Sequence, residues 1–165
     1  MLFGLSIQAF TQFHVIVSLV GIIAGLAVLY GWLHSTPMTR MTAIFLAATA
    51  VTVVTGFMFP ITAFTPALGV GILTTVLLLV ALYALYVRHL SGRWRMTYLI
   101  TAISSLYFNC FVVVAQSFLK VPSLHALAPN GSEPPFAISQ AILLVAFVVA
   151  GYFAVHRYHP PMAAA

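Results

Sequence analysis

The segment Phe13–Leu33 reads F-H-V-I-V-S-L-V-G-I-I-A-G-L-A-V-L-Y-G-W-L and contains no Asp, Glu, Lys or Arg over its 21 residues. A helix that crosses the roughly 30 Å hydrocarbon core of a bilayer needs about 20 mainly apolar residues, because each residue advances the helix by about 1.5 Å. The segment meets both requirements. It therefore predicts a membrane-spanning α-helix.

Four further segments of similar length are also free of charged residues. They are Met41–Phe59, Ala67–Val87, Met96–Leu119 and Phe136–Val155. Their apolar runs do not alternate with polar residues, as the strands of a membrane β-barrel would. Short connectors, most of them containing proline, separate the segments, and proline favours positions where a helix has ended. The sequence therefore predicts an all-α polytopic membrane protein, a five-helix bundle that forms a single domain over residues 1–165.

The composition excludes several classes of protein. Only 4% of the residues are charged and 63% are apolar, whereas soluble domains carry about 25% charged residues. Six scattered cations form no basic patch, so we expect no nucleic-acid partner. The single cysteine excludes a disulfide framework and a multi-thiolate zinc site. Glu133 is the one acidic residue, which excludes catalysis by paired carboxylates and makes an enzyme the less favoured interpretation.

The distribution of cations predicts the orientation. Lys and Arg near the ends of membrane helices are retained on the cytoplasmic side. With five helices, one side holds five arginines and the other holds only Lys120. The arginines are Arg40, Arg88, Arg93, Arg95 and Arg157. We therefore expect the N-terminus outside and the C-terminus inside, in a bacterial inner membrane.

Small and polar residues mark one face of the first helix. His14, Ser18, Gly21 and Gly25 recur at intervals of three or four residues, so they share that face. The two glycines are typical of close helix packing. His14, about one turn below the predicted outer boundary, should point into the bundle. Its role is either a structural hydrogen bond or a contact to a ligand or proton.

The fourth helix carries a polar stripe. Its members are Thr101, Ser105, Asn109, Gln116 and Lys120, at spacings of 4, 4, 7 and 4 residues. Amides in hydrocarbon need hydrogen-bond partners because no water is available there. One interpretation is interhelical hydrogen bonding, and the other is a polar cavity open to the outer side.

Matching depths place these groups around one candidate ligand site. His14 lies about one turn below the outer boundary of the first helix, and Gln116 lies about one turn below Lys120 at the outer end of the fourth helix. Their depths match, so His14 should face Asn109, Gln116 and Lys120. Glu133, in the loop after the fourth helix, is the expected ion-pair partner of Lys120. An anionic or carbonyl-bearing ligand would then compete with Glu133 for the ammonium group. The sequence therefore predicts one outward-facing site.

Four other histidines gather at the inner ends of the helices. They are His34, His89, His156 and His159. The last two form an i, i+3 pair that would share a metal only if the helix continued, so they are weak metal candidates. No second histidine lies at the depth of His14, and we expect no bound haem or other cofactor. Haem or quinone remains the alternative, since quinone sites need little more than donors and an apolar slot.

Three stretches resemble a family of small bacterial inner-membrane proteins with no assigned activity. They are F-H-V-I-V-S-L-V-G-I-I-A-G at Phe13–Gly25, Q-S-F-L-K-V-P at Gln116–Pro122 and L-A-P-N-G-S-E-P-P-F at Leu127–Phe136. The resemblance implies a bacterial inner-membrane setting and adds no activity. The favoured function is binding or passage of a small molecule, or service as an accessory subunit of a membrane complex. Partners would be the lipid bilayer and either other membrane subunits or further copies of the chain.

Overall fold

The computed structural model describes residues 6–60 and 64–159, and within them the secondary structure is helical throughout. The helices are α1 (Ile7–Leu33), α2 (Thr39–Phe57), α3 (Pro66–Leu82), α4 (Trp94–Lys120), the short α5 (Pro122–His125) and α6 (Pro134–Arg157), with a π-turn at Tyr83–Val87 that continues α3. Five of these helices are long and apolar enough to cross a membrane: α1, α2, α3 together with its π-turn, α4 and α6. The predicted five-helix membrane architecture is confirmed.

Local capping explains where two helices begin. Ser6 accepts a hydrogen bond from the backbone N–H of Ala9, so α1 begins six residues before the predicted Phe13. His14 therefore lies about two turns into its helix. Thr65 caps α3 in the same way through the N–H of Leu68, and Pro66 occupies the first turn, where a missing N–H costs nothing.

The five long helices form a ring with one contact across it. α1 packs against α2, α2 against α3, α3 against α4, α4 against α6, and α6 against α1, while α4 also reaches α1 across the ring. α1 and α4 each contact three of the other four long helices. The polar stripe of α4 can therefore meet residues of several helices.

The tightly packed core occupies one half of the bundle. We call this half the arginine end because the five arginines lie beyond it, and the opposite half the His14 end. Trp32, Phe45, Tyr98 and Leu106 are almost fully buried at or toward the arginine end, and the rings of Trp32 and Tyr98 meet edge to face at 5.5 Å. By contrast, residues 107–117 of α4 are all half-buried, on every face of the helix. The His14 end is therefore packed more loosely.

Two glycines bring α1 close to its neighbours. A methyl group at Gly21 would lie 3.3 Å from the Ala48 side chain, and one at Gly25 would lie 2.5 Å from Leu106 and 2.9 Å from Phe45. The predicted packing role of this glycine pair is confirmed. Only a residue without a side chain lets α1, α2 and α4 meet at this level.

Candidate functional site

His14 is anchored to α2. Its Nδ1 lies 2.7 Å from the hydroxyl oxygen of Thr55. Thr55 also lies 2.7 Å from the carbonyl oxygen of Val51, to which its single hydroxyl proton is donated. The hydroxyl of Thr55 therefore accepts the Nδ1–H of His14, and Nε2 of the neutral ring is left as an acceptor. The ring of Phe59 packs edge-on against the imidazole at 5.3 Å.

Asn109 also contacts α2, at a residue six positions further from the His14 end than Thr55. Its amide nitrogen donates to the hydroxyl of the fully buried Thr49 over 3.3 Å. Below Asn109 on α4, the hydroxyls of Thr101 and Ser105 donate to carbonyls of their own helix. Interhelical or local hydrogen bonding thus accounts for the part of the stripe from Thr101 to Asn109.

Gln116 is different. The hydrogen bond between Asn109 and Thr49 puts these two residues at one depth, and both α4 and α2 run from the arginine end to the His14 end. Seven residues further along each helix, about 10 Å, bring Gln116 and Gly56 to similar depth. A methyl group at Gly56 would lie 3.7 Å from the imidazole of His14. These spacings put His14 and Gln116 at similar depth in the bundle.

Two buried oxygens at this level have no hydrogen-bond partner among the described residues. They are the side-chain carbonyl oxygen of Gln116 and the hydroxyl oxygen of Thr52. A buried acceptor that lacks a partner loses about 1–3 kcal/mol of solvation. Their positions are typical of a site completed by a further hydrogen-bonding group.

Lys120 is the last residue of α4, about one turn beyond Gln116, and its side chain is exposed. The expected ion pair with Glu133 does not form. Both carboxylate oxygens of Glu133 are bound within the loop, where Oε1 accepts from the backbone and side-chain N–H groups of Asn130, at 3.0 and 2.7 Å, and Oε2 accepts from the N–H of Ser132 at 3.0 Å. These bonds, the backbone N–H of Asn130 first, lower the pKa of Glu133 to about 2.

We call His14, Thr52, Thr55, Gln116 and Lys120 the polar cluster. It combines three of the predicted site residues with two threonines of α2. The signal for Thr52 was its spacing of four residues from Gly56, which places both on one side of α2. Asn109 lies one level below the cluster, and Glu133 is held in its loop.

Gln140 is a buried polar residue that sequence reasoning did not single out. It lies on α6, and its amide nitrogen donates to the carbonyl of Phe111 on α4 over 3.1 Å. Its own carbonyl oxygen is buried without a partner in the described structure. The bond to Phe111 ties α6 to α4 at the His14 end.

The histidines at the arginine end mostly bind backbone carbonyls. In each case Nδ1 lies within hydrogen-bond distance of a nearby carbonyl oxygen. The pairs are His34 with Tyr30, His156 with Tyr152 and His159 with Arg157. Because α6 ends at Arg157, the i, i+3 histidine pair does not share a helix. Across residues 6–60 and 64–159, no three His, Cys, Asp or Glu side chains are grouped as a metal site would require.

Comparison with known proteins gives no relative for this chain: no family model, curated protein or solved structure matches it.

Proposed function

We propose that the protein is a bacterial inner-membrane protein that binds a small molecule at the polar cluster, from the outer, periplasmic side of the membrane. The observation that carries the proposal is that two of the three buried side-chain oxygens without partners in the described structure, those of Gln116 and Thr52, belong to the polar cluster. In a membrane helix such groups normally find a partner, because hydrocarbon supplies none. A ligand that donates a hydrogen bond would supply it.

The chemistry of the cluster indicates what the ligand carries. Lys120 offers three N–H donors and a positive charge, which suit a carbonyl or carboxylate oxygen. Gln116 offers an acceptor, which suits a hydroxyl or amine on the same molecule. His14 offers Nε2, since its Nδ1 is bound to Thr55. Because Glu133 is bound in its loop, the ammonium group is free to contact the ligand without displacing a carboxylate.

The loose packing around this part of α4 supports the same proposal. A helix that only completes a core shows one buried face and one face to lipid, whereas residues 107–117 are half-buried all round. Side chains that are half-buried on every face leave a ligand room to approach this part of the helix. Passage of the molecule, or its presentation to another subunit of a membrane complex or to a second copy of the chain, would use the same site.

The test compares the two buried glutamines. Gln116→Leu removes the acceptor that has no partner, so we expect it to abolish ligand binding and leave stability unchanged or raised. Gln140→Leu, the matched control, removes the bond to Phe111 and also an unpartnered oxygen that lies outside the polar cluster. It should cost about 0.6–1.7 kcal/mol of stability, with the ligand retained.

Purified wild-type and variant proteins would be compared by thermal unfolding and by mass spectrometry of the small molecules extracted from each. If the wild type yields no bound molecule and Gln116→Leu is the variant that unfolds more easily, Gln116 serves packing and the proposal is wrong.

A redox role with bound quinone is the second candidate, favoured by the coexistence of donors and acceptors within the polar cluster. A quinone carbonyl would accept from Lys120, and the quinol hydroxyl would donate to Gln116. Recovery of a quinone in the extract would establish it. We still predict that no haem is bound, and a Soret band at near-stoichiometric intensity would overturn that prediction.

A further inference from the structure

A groove of about 380 Å³ opens between α4 and α6, away from the polar cluster. Its wall on α4 includes Ile100, Ile103 and Tyr107, and its wall on α6 runs from Leu144 to His156. The lining is mainly apolar, and the groove faces outward from the bundle. Its shape and chemistry suit a hydrocarbon chain.

The length of the groove matches one leaflet of a bilayer. From His156 to Leu144, α6 advances twelve residues, or about 18 Å. Half of a hydrocarbon core of about 30 Å is about 15 Å. The groove therefore extends from the arginine end to slightly beyond the middle of the membrane, which is the depth that one acyl chain occupies.

Cationic and hydrogen-bonding groups flank the end of the groove. Arg93 lies seven residues before Ile100 on α4, so it shares the face that lines the groove, and its side chain is exposed. His156 lies opposite on α6, where its Nδ1 is bound to the Tyr152 carbonyl and Nε2 is left to face a ligand. The only side-chain carboxylate of the chain, Glu133, is at the other end of the bundle.

We propose that this groove is a binding site for an anionic phospholipid, with one acyl chain between α4 and α6 and the phosphate between Arg93 and His156. The charge at this end selects the lipid. Five arginines without a carboxylate favour an anionic headgroup over a zwitterionic one, and the apolar wall holds the chain. Gly151 lies in the α6 wall, where a methyl group would already meet Ile103 of α4 at an ordinary 3.8 Å, so a larger side chain there would occupy the groove.

The first experiment fills the groove. Delipidated protein in detergent would be titrated with phosphatidylglycerol and with phosphatidylcholine, and bound lipid counted by native mass spectrometry. We expect one phosphatidylglycerol to bind in preference to phosphatidylcholine. Gly151→Phe should weaken that binding at least tenfold, whereas Val149→Phe, on an exposed part of α6 outside the groove, should not.

The second experiment removes the charge and decides the question even if Gly151→Phe does not fold. Arg93→Gln should weaken phosphatidylglycerol binding about fivefold, the effect of one cation near an anionic headgroup. Arg40→Gln makes the same change of net charge on α2 at the same end and should have little effect. Equal binding of the two lipids, unchanged binding by a folded Gly151→Phe variant, or equal losses in the two arginine variants would overturn the proposal.

Discussion

Gly25→Ala tests the packing that closes the arginine half of the bundle. The added methyl group would lie 2.5 Å from a methyl carbon of Leu106 and 2.9 Å from the ring of Phe45. Ordinary contacts between such carbons are about 3.5–4.0 Å. Accommodating the methyl group therefore requires movements of about 1 Å at two places, one on α2 and one on α4.

The neighbours have little freedom to make these movements. Leu106 and Phe45 are both fully buried, so each displacement pushes against other core residues. Overpacking of this kind typically costs about 1–3 kcal/mol. Alanine favours a helix by up to about 1 kcal/mol relative to glycine, which offsets part of the cost. We expect a net loss of about 1–2 kcal/mol in the free energy of unfolding.

The measurement is unfolding of the detergent-solubilised protein, followed by the reaction of Cys110 with a thiol-reactive dye. Cys110 is the only cysteine and is half-buried, so the dye reports opening of the bundle. Gly151→Ala is the matched control, because its methyl group would meet Ile103 at an ordinary 3.8 Å. If Gly25→Ala unfolds no more easily than Gly151→Ala, the close approach of α1 to α2 and α4 does not limit stability.

Three other predictions concern the ends of the bundle. Arg95 donates to the carbonyls of Val155, at 2.9 Å, and of Tyr158, at 2.6 Å. Arg95→Gln should therefore destabilise the protein by about 1.5–3 kcal/mol in the same unfolding assay, and an equal effect of Arg40→Gln would refute this. The hydrogen bonds within its loop lower the pKa of Glu133 from 4.5 to about 2. The stability that these bonds contribute should be present above about pH 4.5 and lost as the pH falls toward 2. An NMR titration midpoint of Glu133 near 4.5 would contradict this prediction. Alkaline phosphatase should be active when it is fused at Asn130, in the loop between α5 and α6, and inactive when it is fused at the C-terminus. The reverse pattern would show that the predicted orientation is wrong.

The candidate site was only partly predictable, because residue spacing gives the face of a helix but not its neighbour. Periodicity placed His14 and Gln116 on polar or small faces, and the structure sets both at one level. Spacing did not reveal that His14 binds Thr55, because threonine on α2 is equally compatible with packing. The ion pair between Lys120 and Glu133 was predicted from opposite charge alone. It does not form because Asn130 and Ser132 bind the carboxylate of Glu133 within its loop.

The sequence by itself determined the number of spanning helices and their class. Charge-free runs of about 20 residues leave a membrane segment no alternative to the helix, since its backbone groups must bond within the segment. The tertiary structure decided which helices adjoin, and that Glu133 binds within its loop and not to Lys120. Gly131, at a φ of +68°, lies in the turn that directs the N–H groups of Asn130 and Ser132 to that carboxylate. Such short, directional contacts depend on the path of the folded chain, whereas burial in a membrane depends mainly on local composition.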